Sequence, residues 1–139
     1  MRRMMFASFL FCFIQTYAKT PIPEALLNAK TALVRNAGAE EKDFDKFCKL
    51  LKEWGRFELV QDKGGADIVI TISTQLQYRT VQMPNTGGGL GGGVTSQQVL
   101  ITYMRIINAR DDASLYSDDG DSKDPKNLVE RLKNKMKKK

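Results

Sequence analysis

Three groups of side chains in this sequence could do chemistry, and each sits in a definite context. Asp67 with Asp111 or Asp112 could form a carboxylate pair for general acid–base work, but surface acids at turns and strand ends are the ordinary case. Cys48 could be a nucleophile. It falls on the apolar face of a helical pattern, where a thiol behaves as a small hydrophobe. The chain has no histidine, which removes the commonest general base and metal ligand and the usual partner of a Ser or Cys nucleophile. Asp118-Asp-Gly-Asp121 with Asp124 has the acids of a calcium loop, but not the D-x-D-x-D-G spacing or a closing glutamate. A solvated acidic turn fits those residues better.

The fourth candidate is Met83-Pro-Asn-Thr-Gly-Gly-Gly-Leu-Gly-Gly-Gly93. Its glycines satisfy a G-x-G-x-x-G pattern trivially. An anion-binding loop must lead from a strand into a helix, and these glycines lead into another strand with no Gly-Lys-Ser/Thr after them. The stretch reads as a flexible hairpin loop. The alternative is a small-ligand or anion site built from residues 87–93 with Arg79 or Arg105 nearby. On these grounds no catalytic, cofactor-binding or metal-ligating residue is assigned, and the chain is read as a non-enzyme with no cofactor.

The elements around these residues follow from periodicity. Asp67–Tyr78 alternates strictly, with Ile68, Ile70, Ile72, Leu76 and Tyr78 on one side and Val69, Thr71, Ser73, Gln75 and Gln77 on the other. Thr74 is the one polar interruption of the apolar side. Such alternation marks a strand with one dry and one wet face, so helices are expected on one side of the sheet only. Before it, residues 30–36 read as a first strand and 56–61 as a second. Between these two, Phe44, Phe47, Cys48, Leu51 and Trp54 form a helical stripe over 40–54 that Gly55 stops. A helix between two strands makes a parallel crossover.

After the glycine loop, residues 97–107 read as a fourth strand that is apolar on both sides. Leu100, Met104 and Ile106 line one side, and Val99, Ile101, Tyr103 and Ile107 the other. The second set lies on the face the third strand leaves wet, so it is the candidate partner-binding face. The competing expectation is that the leader or the glycine loop covers it. A fifth strand over 113–117 follows. Asp124-Pro125 then caps a last helix striped by Leu128, Val129, Leu132 and Met136. Together these predict an α/β two-layer sandwich of α+β type: a five-stranded mixed sheet in the order 2-1-3-4-5 with two helices on one face.

The ends of the chain speak to location. Met1-Arg-Arg, a short apolar run over 6–14 and Thr16-Tyr17-Ala18 read as a secretory signal peptide cleaved after Ala18. The run is shorter than the roughly 20 residues a bilayer span needs. The expected organisation is signal peptide 1–18, extended leader 19–29 with a short turn opened by Pro23, one domain over 30–136, and a basic tail 137–139. The net charge of +6 drops by two, to +4, when Arg2 and Arg3 leave. Cys48 is then the only cysteine, so no intrachain disulfide is expected. The lysine-rich C-terminus could touch anionic surfaces such as lipid headgroups. Nucleic acid is not expected, because no aromatic residues interleave with the lysines.

Trp54-Gly-Arg-Phe-Glu-Leu-Val60, a short turn, Ala66-Asp-Ile-Val-Ile70, a long strand, a hairpin and a final amphipathic helix together form a recognisable order. It resembles the amino-terminal domain of TolB and the related CsgG- and LpoB-like envelope domains over about residues 31–136. The resemblance implies an envelope domain that acts by binding another protein. It supplies no matched binding residue, and neither a β-propeller after the domain nor a lipid-attachment cysteine is expected here.

Overall fold

The computed structural model describes residues 22–82, 93–121 and 123–137. In chain order these form α1 (Glu24–Asn28), β1 (Thr31–Asn36), α2 (Glu41–Trp54), β2 (Glu58–Val60) and a 3-10 turn (Lys63–Gly65). Then come β3 (Ile68–Gln82), β4 (Val94–Asn108), β5 (Ser114–Asp119) and α3 (Lys126–Lys137). The expected signal peptide and most of the glycine loop lie outside the described residues.

The sheet has five strands in the order β2-β1-β3-β4-β5. β1 runs parallel to β2 and β3, with α2 as the crossover, while β3–β4 and β4–β5 are antiparallel. The mixed α/β architecture, the strand order and the placement of both long helices agree with the periodicity.

α2 forms because its apolar residues recur on one stripe. Phe47 and Leu51 are buried while its lysines face water. Gly55 ends it in the left-handed conformation (φ 66°), where its N–H donates to the Leu51 carbonyl at 3.2 Å. That conformation costs any residue with a Cβ, which is why glycine belongs there. α3 starts where Asp124 accepts the Lys126 N–H at 2.9 Å, and it buries Leu128, Val129 and Leu132. Both helices pack on Ala32, Ile68, Ile70, Ile72, Met104 and Ile106 to form one core.

The stretch expected to be an extended leader adds to this core. α1 places Leu26, with Ala29 just after it, in the same cluster, so the folded unit begins before residue 30. Arg56 fixes this segment by donating from its guanidinium to the carbonyls of Leu27 and Ala29. The opposite face carries a second, small apolar cluster of Leu33, Ala66, Val69 and Ala109 with Val60 and Ile107.

β3 and β4 are each fifteen residues long, beyond the spans the periodicity indicated. β1 pairs with β3 only up to Asn36↔Ile72, and β5 pairs with β4 only from Asp119↔Tyr103. From Thr74↔Thr102 to Gln82↔Val94, nine rungs of the hairpin have no strand on either side among the described residues. At about 3.3 Å per residue that is a two-stranded arm roughly 30 Å long.

Candidate functional site

The boundary between body and arm is a hydroxyl pair. Thr102 is fully buried, and its Oγ1 donates to the Lys123 carbonyl at 2.8 Å. A hydroxyl has one proton, so the 3.1 Å contact between Thr74 Oγ1 and Thr102 Oγ1 has Thr74 as donor. Thr74, the polar interruption in the alternation, therefore marks the rung at which the helix layer ends.

Beyond that rung the side chains that would be core elsewhere stand in solvent. Leu76, Tyr78, Leu100 and Val94 continue the helix-side face, and all are exposed, Tyr78 at 70% and Val94 at 66%. Val81 is exposed on the other face. Tyr78 is held upright by its rung partner, since the Gln98 side-chain amide donates to its hydroxyl at 2.9 Å. A cleft of about 510 Å³ opens where the arm meets the body, lined by Leu76, Gln98, Val99, Leu100, Asp121 and Lys123.

The four residues expected to form a bare apolar patch are placed differently. Ile101 is 2% exposed, and Val99, Tyr103 and Ile107 are half-buried. Ile107 belongs to the small cluster with Val69 and Leu33. The Gln77 amide donates to the Tyr103 hydroxyl, although the rung partner of Tyr103 is Ser73. To meet Gln77 the tyrosine must lie along the strand, over the intervening Gln75–Ile101 rung. Ile101, on the rung that this bond spans, is buried. The expected patch is thus corrected: the large exposed apolar groups lie mostly on the helix-side face of the arm. Alternation alone assigned Leu76 and Tyr78 to the core.

The remaining candidates resolve into structural partnerships. Asp67 accepts the backbone N–H groups of Lys30 (2.9 Å) and Thr31 (3.2 Å), which hold its carboxyl below the usual range. Asp112 pairs with Lys63 at 2.8 Å, which lowers it likewise. Asp111 accepts the Ala113 N–H at 3.0 Å. A general acid at neutral pH needs the opposite shift. In the acidic turn, Asp118 and Asp121 both hold Arg131, and Asp124 holds Lys46 as well as the α3 N-terminus. Among the described residues, no group of three or more His, Cys, Asp or Glu could hold a metal ion.

Cys48 is half-buried, and burial pushes its thiol up despite Lys52. Burial also raises the Tyr116 phenol, which donates to Asp118 at 3.1 Å beside a second, 340 Å³ cleft lined by Ile22, Leu115 and Lys135. Arg79 and Arg105 are both exposed on the face away from the helices, but they sit at rungs eight residues apart. That separation is roughly 26 Å, too far for both to grip one small anion. Gly87 to Gly92 lie outside the described residues. No described helix is long and apolar enough to cross a membrane.

No family model matches this chain, and no curated protein matches it.

Proposed function

We propose that this chain is an exported, non-catalytic envelope or secreted domain that binds another protein through its projecting β3–β4 arm. The observation that carries this reading is the row of large exposed apolar side chains on the helix-side face of the arm, which no described helix covers. A folded domain gains nothing in its own core from Leu76, Tyr78 and Leu100 in water, whereas a partner that covers them gains their burial. Among the described residues no strand pairs with the outer edges of the arm, and an extended segment of a partner can complete them.

The signal-peptide pattern of residues 1–18 supports export, and the structural roles found for Asp67, Asp111 and Asp112 favour binding over catalysis. The likeness to the TolB amino-terminal and CsgG/LpoB-like domains points the same way, because those domains act by binding proteins. The body serves as a rigid base, and the lysines of α3 remain available for weak contact with an anionic surface.

The test places a photo-crosslinking phenylalanine analogue at Tyr78 and, as a control, at Lys49 on the exposed side of α2. Irradiation in envelope extract should give a discrete heavier adduct from position 78 and none from 49. Equal labelling from both positions, or none from either, would overturn the reading.

A further inference from the structure

We infer that the free edge of β4 pairs antiparallel with the same edge of a second copy of this chain, centred on Gln97. The inference rests on reading the arm as the binding element and names one of its partners.

Three observations identify the occupant. The first is the chemistry of the edge. Residues 94–101, Val-Thr-Ser-Gln-Gln-Val-Leu-Ile, contain no charge, proline or glycine. Proteins that keep an edge strand solitary place lysine, proline or a bulge on it, and this edge has no lysine or proline. Residues 94–101 offer no ion pair to a charged strand, whereas a second neutral strand meets its own kind. The edge of β3 differs, because self-pairing there would bring Arg79 within about one rung of its copy.

The second observation is the direction of the backbone groups. The Gly120 N–H donates to the Thr102 carbonyl, so the even-numbered residues of β4 turn their N–H and C=O toward the β5 side. Above Thr102 these are Leu100, Gln98, Ser96 and Val94, free of strand partners on that side among the described residues. A two-fold axis normal to the sheet keeps the helix-side faces together, which requires even residues to oppose even residues. Centring on Gln97 opposes Val94 to Leu100 and Ser96 to Gln98, and uses all four outward residues of each copy. Centring one residue later would oppose Val94 to Thr102, whose carbonyl is already taken by Gly120.

The third is shape. Val94 is an exposed apolar side chain at the far end of the edge, and the cleft bounded by Leu100, Gln98 and Lys123 lies at its near end. In the Gln97-centred register each copy places its Val94 beside the Leu100 of the other, at that cleft. The antiparallel arrangement also sets the two bodies at opposite ends of the paired arms, so neither β5 meets the other. The result is a four-stranded layer, β3-β4-β4-β3, whose helix-side face joins both sets of Leu76, Tyr78 and Leu100.

Two cysteine variants read the register. Gln97→Cys places two thiols on facing residues of a non-hydrogen-bonded pair, with Cα atoms about 4.5 Å apart, inside the range a disulfide spans. Gln98→Cys places them on the diagonal, about 7–8 Å apart. Under mild oxidation the first should link at least ten times faster than the second, with the unsubstituted chain as background. Sedimentation equilibrium should show a concentration-dependent dimer, and Val94→Lys, at an exposed site, should weaken it at least tenfold without moving the thermal melt. A chain that sediments as a monomer throughout, or a Gln98→Cys variant that links as fast as Gln97→Cys, would overturn the proposal. Foreign adducts from position 78 on a strictly monomeric chain would sink the self-pairing and leave the binding function standing. A dimer that yields only self-adducts would do the reverse.

Discussion

The Tyr103 hydroxyl accepts a hydrogen bond from the Gln77 amide two same-face rungs beyond its own cross-strand partner, and the bond spans the rung of the buried Ile101. This places Ile101 in the fold and removes it from the available surface. Tyr103→Phe keeps the ring in place and should change stability by less than about 0.5 kcal/mol in urea denaturation. Tyr103→Ala should cost about 1–2 kcal/mol, because it removes a half-buried ring and the acceptor of Gln77. Ile101→Asp should cost more than about 3 kcal/mol, since an unpaired carboxylate would replace a buried side chain. A binding defect in that last variant would therefore report damage to the fold. If Ile101→Asp melted like the parent chain, Ile101 would not belong to the interior.

The hydroxyl relay at the base of the arm gives an ordered pair of effects. Thr102→Val strands the Lys123 carbonyl and removes the acceptor of Thr74, so a loss of about 1–3 kcal/mol is expected. Thr74→Val removes only a donor to a hydroxyl that keeps its bond to Lys123, so its loss should be the smaller. The double variant should cost less than the sum of the two. Chemical denaturation of the three variants measures the ranking, and equal single effects would contradict the assigned proton direction.

Acid and alkali should act through different groups. The carboxyls of Asp67, Asp112 and Asp124 are held below their ordinary value, Asp67 and Asp124 chiefly by backbone N–H groups and Asp112 by Lys63. Their contribution is fully present above the unfolded value of about 3.9 and is lost as pH falls through the lower folded values. Tyr116 has the opposite sense. Its phenol is raised by burial and by Asp118, so its contribution is complete below the ordinary value of 10.0 and fades as pH rises above it. Melting temperatures measured from pH 2 to 11 should fall at both ends, and Asp67→Asn should flatten the acid limb.

Much of this was readable in the residues, and what was missed has physical causes. Alternation in β3 gave the face of every residue from Ile68 to Tyr78 correctly, and the stripes of α2 and α3 gave the side on which helices lie. Periodicity reports the direction of a side chain. It does not report how far along a strand the helix layer reaches. Leu76 and Leu100 therefore read as core although they stand past the last helical turn, and only Thr74 marked the limit. The arm's outer residues, Arg79–Gln82 and Val94–Ser96, escaped because Val81 and Val94 are the apolar residues in them, too few to show a period. Leu26 escaped because a five-residue helix is too short to show a period.

Gly55 tests the helix stop in isolation. A Cβ there would meet only the Lys52 carbonyl oxygen, at 4.0 Å, so space is not the obstacle. The cost of Gly55→Ala is conformational, about 1 kcal/mol for a left-handed residue, and Gly55→Asn should recover part of it. Thermal melts of the two variants give the comparison, and an alanine variant as stable as the parent would mean that the left-handed stop is not needed.

Leu76 and Leu100 separate surface from core most directly. Each is chemically identical to the buried leucines of α2 and α3, and differs only in lying beyond the Thr74–Thr102 rung. Leu51→Ala should cost about 2–5 kcal/mol, since it opens a cavity under the sheet. Leu76→Ser and Leu100→Ser should each cost about 1 kcal/mol or less, because roughly half of each residue already faces water. If the arm binds as proposed, the same two serine variants should abolish the adducts formed from position 78 while the melt stays in place. Loss of stability in step with loss of adducts would show instead that the two leucines serve the fold.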